Sequence, residues 1–79
     1  MNERKVYVKV LLETDENGNV TPIEITWENG RKYAIDKVID IRRACAQKVG
    51  GTAMRYHISV LGKSTYLFND DGKWFVEGK

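Results

Sequence analysis

The sequence has little of what most reactive sites need. Its 79 residues include one cysteine, one histidine and one proline. A single Cys and a single His cannot build a structural zinc site or a disulfide framework. The longest unbroken aliphatic run is Val10-Leu11-Leu12, so no membrane span is expected, and the first residues contain no apolar segment typical of a secretory signal. We therefore expect a cytoplasmic protein.

The composition is that of a small globular domain. Hydrophobic residues make up 42% of the chain and charged residues 30%, which is too much apolar content for a disordered segment. A chain of this length buries only roughly 60–65% of the surface that it exposes when unfolded. We expect residues 1–79 to form one domain with a small core.

Apolar and polar residues alternate along six segments, and turn residues such as Asn29-Gly30 separate them. A period of two residues predicts half-buried β-strands, and Asn-Gly is a strong signal for a hairpin turn. The expected strands are residues 4–13, 20–28, 31–43, 53–61, 64–69 and 73–77. Six closely spaced strands predict an all-β fold, an antiparallel meander curled into a small barrel or half-barrel.

The middle of the chain is open to two interpretations. A helix would begin at Asp36 and end before Gly50-Gly51, where the two glycines stop it. Four β-branched residues within residues 35–41 favour a strand instead. We expect the strand to continue through Arg43, followed by a loop or one helical turn over residues 44–49.

The few reactive side chains do not suggest catalysis. Cys45 and His57 are the only possible nucleophile and base of a cysteine mechanism, and no third group or signature accompanies them. Asp36 and Asp40 are more simply interpreted as ion-pair partners of nearby basic residues. We expect no enzyme activity and no cofactor or metal.

Basic residues are concentrated in the middle of the chain. Residues 31–63 carry eight Lys and Arg residues against two Asp residues, a net charge of +6, whereas both flanking segments are acidic. Small barrels bind single-stranded nucleic acid by combining a positive groove with rings on which bases stack. Tyr7, Tyr56 or Tyr66 would supply the ring. The residues predicted to contact nucleic acid are Arg31, Lys32, Arg42, Arg43, Arg55, Lys63 and Tyr56.

Two other interpretations of the same residues stay open. Lys and Arg are common on the solvated face of a strand, and eight aromatic residues are a reasonable core for a β domain of this size. An open meander also leaves an unpaired edge strand. The alternative function is a protein-interaction or self-association module with no role in nucleic-acid binding.

Several residues together resemble a known family. The motif Pro22-x4-Trp27-x2-Gly30-Arg31-x-Tyr33-x-Ile35 and the later segment Gly72-x-Trp74-Phe75-Val76-Glu77 are similar to a family of small bacterial proteins of unknown function, mostly from Gram-positive bacteria. Longer actinobacterial proteins share the Trp-x-x-Gly-Arg-x-Tyr-x-Val core, and some are encoded near translesion DNA polymerases. The resemblance implies structural roles for the hairpin glycine and for Trp27 as a core residue. It also implies an accessory role in DNA repair.

Overall fold

The computed structural model describes residues 4–45 and 52–78, and all regular structure within them is β. The all-β prediction is confirmed. None of these residues belongs to a helix that could span a membrane. The strands are β1 (Arg4–Tyr7), β2 (Lys9–Thr14), β3 (Val20–Thr26), β4 (Lys32–Ala34), β5 (Lys37–Cys45), β6 (Thr52–Val60), β7 (Lys63–Asp70) and β8 (Lys73–Gly78).

The strands form two antiparallel sheets. One sheet has five strands in the order β1-β8-β7-β6-β5, and the other has three in the order β2-β3-β4. The chain first changes sheets at Val8, whose N–H donates to the Trp74 carbonyl at 3.0 Å before β2 pairs with β3. It changes again after β4: Ile35 N–H still donates to Ile23 of the three-stranded sheet, whereas Asp36 N–H donates to Ser59 of the five-stranded sheet.

The predicted six-stranded barrel is wrong. The expected strands 4–13 and 31–43 each run through a sheet change and are divided there, which gives eight strands instead of six. The backbone of each segment exchanges the partners of one sheet for those of the other at Val8 and at residues 35–36. The result is two separate sheets that do not close into a barrel.

The middle of the chain is a strand, as expected, and not a helix. β5 covers Lys37–Cys45 and pairs with β6 along its length, with one bulge between Val38 and Asp40. Residues 44–49 were expected to form a loop or one helical turn, but Ala44 and Cys45 belong to this strand. Residues 46–49 lie outside the described residues.

Two tight turns hold β6, β7 and β8 together. Val60 pairs with Lys63, and Asp70 pairs with Lys73, so each turn has two residues between its strands. In the first, Leu61 and Gly62 both have positive φ, 54° and 75°. Type I′ hairpin turns require positive φ at both positions, and Gly adopts it without steric cost.

The main core lies between the two sheets. Ile25 of β3 packs against Tyr56, Ile58, Leu67 and Trp74 of the five-stranded sheet, and each of these side chains is buried. The face of the five-stranded sheet that meets β3 is called here the inner face, and the opposite face is the outer face.

Trp27 does not have the core position expected from the sequence. It is only half-buried and belongs to neither cluster of buried residues, whereas Trp74 lies in the main core. Trp27 follows the last residue of β3 and lies at the hairpin end of the three-stranded sheet, whereas Trp74 lies on β8, which has a strand on each side.

A second buried cluster lies on the outer face. It consists of Ala53, Phe68 and Phe75. The two phenylalanine rings stack with centroids 5.1 Å apart and planes 8° apart. The larger sheet thus buries aromatic rings on both faces, with Trp74 and Tyr56 on the inner face. The outer face is therefore not simply a solvated surface.

Candidate nucleic-acid interface

One row of side chains crosses all five strands of the larger sheet. Tyr7 of β1 is opposite Phe75 of β8, which is opposite Phe68 of β7; Phe68 is opposite Arg55 of β6, and Arg55 is opposite Arg42 of β5. Directly opposed residues of antiparallel strands project from the same face. The outer face thus has rings at one end of this row and two arginines at the other.

The arginine end of the row is accessible. The Arg42 side chain is 67% exposed, and its Nε donates to Asp40 Oδ2 at 2.6 Å. The Arg55 guanidinium lies 4.5 Å from the centroid of the Tyr66 ring. A cation over an aromatic face is stabilised by about 0.5–1 kcal/mol at an exposed site. The ring therefore holds one guanidinium, and the carboxylate holds the other.

Tyr66 is an accessible ring on the outer face. It is 43% exposed, lies opposite His57, and has its ring centroid 5.0 Å from that of His57 at an interplanar angle of 41°. We call Arg42, Arg55, His57 and Tyr66 the arginine–tyrosine cluster. Its guanidinium groups can donate to phosphate oxygens, and planar guanidinium groups and rings can stack on bases.

The opposite end of the row has a second exposed ring. Tyr7 is exposed and meets Phe75 edge-on, with centroids 5.8 Å apart. Lys5 Nζ lies 5.0 Å from the centroid of the Phe75 ring. Phe68 and Phe75 themselves are buried, so Tyr7 and the arginine–tyrosine cluster are two separate accessible patches. Four strand spacings, about 19 Å, separate Tyr7 from Arg42.

Only two of the predicted contact residues come together. Arg42 and Arg55 are opposed on the outer face, whereas Arg43 is opposite Met54 and so projects from the inner face. Tyr56 is 8% exposed and its ring lies 5.0 Å from that of Trp74. Burial removes Tyr56 from the set of rings that a ligand could reach.

The other three predicted residues are dispersed. Arg31 lies in the turn between β3 and β4, where its carbonyl accepts the Trp27 N–H at 2.7 Å. Lys32 begins β4 in the smaller sheet, and Lys63 begins β7 beside the hairpin turn. The charge concentration in residues 31–63 is therefore divided among several surfaces.

His57 is a member of the cluster that sequence reasoning did not include. It lies two residues after Arg55 on β6, so the alternation of that strand already indicated that both project from one face. Tyr66 was one of three tyrosines considered as a stacking ring. The alternation of β6 and β7 did not indicate that Tyr66 is accessible and Tyr56 buried.

The one nucleophile–base pair considered from sequence is separated by the fold. Cys45 is opposite Thr52, whereas His57 is opposite Asp40, five residues away along β5. Five residues of strand span about 17 Å. Among residues 4–45 and 52–78, no group of three or more His, Cys, Asp or Glu side chains is placed to hold a metal ion.

An apolar cleft lies between the two sheets, beside the β3–β4 turn and the β6–β7 turn. It has a volume of about 380 Å³, and its walls include Trp27, Tyr33, Val60 and Leu61. Leu61 is 75% exposed although it is apolar, and it lies in the left-handed region at φ 54°. A β6–β7 turn in this conformation projects a leucine side chain next to the cleft.

Comparison of the chain with models of protein families, with curated proteins and with solved structures finds no match. The resemblance to small bacterial proteins stays a prediction.

Proposed function

We propose that this protein is a small non-enzymatic module that binds single-stranded nucleic acid through the arginine–tyrosine cluster on β5, β6 and β7. The observation that carries the proposal is the Arg55 guanidinium over the exposed Tyr66 ring, directly opposite Arg42. This arrangement offers positive charge to a phosphate and flat surfaces to a base within one patch. The DNA-repair role implied by the resemblance is consistent with single-stranded DNA as the ligand.

The like charge of the opposed arginines favours an anionic ligand. Two guanidinium groups at opposed positions repel each other, and a phosphate bound between them relieves that repulsion while accepting charge-assisted hydrogen bonds. Asp40 lowers the positive charge beside Arg42, so the affinity of one module is expected to be modest.

The charge of the cluster sets the expected salt dependence. For single strands, the logarithm of the binding constant falls by about 0.7 for each phosphate contact per tenfold increase in salt. Two arginine contacts then predict a loss of affinity of about sevenfold between 50 and 200 mM salt. Stacking on Tyr66 releases no counterions and contributes little to this slope.

The test is fluorescence anisotropy of labelled single-stranded and double-stranded oligonucleotides titrated with the protein at low and moderate salt. Arg42→Ala should weaken single-strand binding and flatten the salt dependence. Arg43→Ala is the matched control, because it removes the same charge from the same strand but from the inner face. Equal losses in the two variants would indicate a non-specific charge effect and would count against the cluster.

Tyr66→Ala separates stacking from charge. Loss of one stacked base contact costs about 1–3 kcal/mol, so affinity should fall at least about fivefold while the salt slope stays the same. Tyr66→Phe keeps the ring and should bind like the original chain. No binding by the unmodified protein at high micromolar concentration and low salt would overturn the proposal.

A second candidate function is protein binding with no nucleic-acid role. It is favoured by the apolar cleft and by Leu61 at its rim, which is exposed and has a left-handed backbone conformation. The occupant that fits is an apolar anchoring side chain of a partner protein, since the named walls Trp27, Tyr33 and Val60 are apolar or aromatic.

Titration with N-acetyl-phenylalanine amide, followed by NMR of the backbone amides, tests the second candidate. Shifts confined to Trp27, Tyr33 and Leu61 and unaffected by salt would support it. Shifts scattered over the exposed surface would count against it.

A further inference from the structure

The strand β5 ends the five-stranded sheet. It pairs with β6 on one side, and no strand in the described parts of the chain pairs with its other edge. Ile39 and Ile41 on β5 are each 46% exposed. An unpaired edge with exposed apolar side chains is a template on which another strand can add.

The order of side chains along β5 suits one partner in particular. Asp40 and Arg42 project from the outer face, opposite His57 and Arg55, while Ile41 between them projects from the inner face, opposite Tyr56. In an antiparallel pair of identical strands centred on Ile41, Asp40 of each copy is opposite Arg42 of the other copy. The two Ile41 side chains then meet at the centre.

Neighbouring registers lack this complementarity. A pair centred on Asp40 sets the two aspartates against each other and Lys37 against Arg43. A pair centred on Arg42 or on Arg43 sets two arginines against each other. Like charges at opposed positions destabilise a sheet, and unlike charges stabilise it. Within residues 40–43, only the register centred on Ile41 opposes unlike charges without opposing like ones.

We propose that two copies of this chain pair antiparallel along β5, with Ile41 on the two-fold axis. The axis is perpendicular to the sheet, so both outer faces lie on the same side and a continuous sheet of ten strands forms. Such an interface is isologous, since each copy contributes the same surface. Residues 43–45 of each copy are opposite residues 37–39 of the other, which lie at or before the bulge between Val38 and Asp40. The regular part of the new ladder is therefore residues 40–42.

A dimer of this kind changes the environment of the arginine–tyrosine cluster. Arg42 from each copy lies near the shared edge, so the two clusters become neighbours on one continuous outer face. A single strand of nucleic acid could then contact both. The self-association proposal itself does not depend on nucleic-acid binding. It follows from the unpaired edge of β5, from the exposed side chains of Ile39 and Ile41, and from the positions of Asp40 and Arg42 on either side of Ile41.

Sedimentation velocity without nucleic acid tests the proposal by charge exchange. Arg42→Asp leaves two acidic residues at positions 40 and 42, and Asp40→Arg leaves two basic ones, so each variant alone sets like charges opposite each other. The dissociation constant of each variant should rise by about tenfold or more. An equimolar mixture of the two variants should form a mixed dimer, because every acidic side chain then opposes a basic one.

A second pair of variants tests the apolar contact. Ile41→Lys places a charge at the centre of the interface and should give a monomer. Leu11→Lys introduces the same charge at an exposed apolar position of β2 and should leave the dimer intact. Circular dichroism verifies that each variant keeps its β structure.

Two results would overturn the proposal: an unmodified chain that stays monomeric at high micromolar concentration, or a mixture of the two charge variants that associates no better than either alone. Neither result affects the nucleic-acid proposal, which is measured by the difference between Arg42→Ala and Arg43→Ala at protein concentrations where a monomer can bind.

Discussion

Arg42 and Arg55 lie directly opposite each other on β5 and β6, so two positively charged side chains are neighbours on the outer face. Opposed like charges destabilise a sheet by a few tenths of a kcal/mol to about 1 kcal/mol. Asp40 beside Arg42 and the Tyr66 ring beneath Arg55 offset part of this repulsion. Neither arginine is therefore expected to be important for folding.

Arg42→Gln should change the free energy of unfolding by less than about 0.5 kcal/mol. The substitution removes an exposed ion pair with Asp40, worth about 0–1 kcal/mol, and it also removes the repulsion from Arg55. Urea denaturation measures the difference, with Arg43→Gln as the control on the other face. A loss of more than about 2 kcal/mol would make Arg42 a structural residue.

The two tryptophans should respond differently to truncation. Trp74→Ala removes a buried ring that packs against Tyr56, and it should cost about 3–5 kcal/mol, enough to unfold a domain of this size. Trp27→Ala should cost clearly less, because Trp27 is half-buried at the wall of the apolar cleft. Thermal unfolding followed by circular dichroism compares them. Equal losses of stability in the two variants would contradict the placement of Trp74 inside the main core and of Trp27 outside it.

Asp36 connects the sheet change to the β6–β7 turn. Its Oδ2 accepts the Gly62 N–H at 3.0 Å and the Ser59 hydroxyl at 3.3 Å. Asp36→Ala should lower the free energy of unfolding by about 1 kcal/mol, since the side chain is exposed and water replaces part of what is lost. Asp36→Asn keeps one acceptor oxygen and should lose less. Guanidinium denaturation of both variants checks this order.

Asp15, in the turn between β2 and β3, has a carboxyl group with a lowered pKa. The Asn19 backbone N–H, 2.9 Å from Asp15 Oδ1, is the main reason that the pKa of Asp15 is lowered below 3.8, and the Asn19 side-chain amide and the Asn17 N–H add to it. A lowered carboxyl pKa stabilises the folded state above the ordinary pKa. That stabilisation is lost as pH falls through the lowered value.

NMR titration of the Asp15 carboxyl carbon should therefore give a pKa below 3.8. Asp15→Asn should be less stable than the original chain at neutral pH, and the difference between them should narrow as the solution is acidified. A carboxyl that titrates at or above 3.8 would show that the turn does not hold the charged form.

Local patterns were sufficient to predict most strands but not the sheets that they form. Alternation continues without a break through Val8, because Val8 and Val10 both pack against the main core while the backbone partners change. Around the second change Lys37 interrupts the apolar positions, and the core-packed residues Ile35 and Val38 are three residues apart. Nothing in a period of two residues indicates such a change of partner. The choice of strand over helix was correct for β5, Lys37–Cys45, because β-branched residues have a local cost in a helix.

The candidate site was only partly predictable for a related reason. Alternation correctly puts Tyr56 and Arg55 on opposite faces of β6, but it does not reveal which face another sheet covers. That depends on where Ile25 packs, a contact distant in sequence. Arg42 and Arg43 illustrate the same limit. They are adjacent, carry equal charge and project from opposite faces, and the sequence does not indicate which of the two faces another sheet covers.

The pairing of β1 with β8 sets the order in which the molecule can be completed during synthesis. Arg4 pairs with Gly78, so β1 must wait until β8 has left the ribosome, about 70 residues later, before its partner exists. β2 follows after Val8 alone and can form its hairpin with β3 at once, because a short loop closes at small entropic cost. Two neighbouring segments of the chain thus become ordered at different times during translation, and until β8 is made the apolar side chain of Val6 lacks the residue opposite it, Val76.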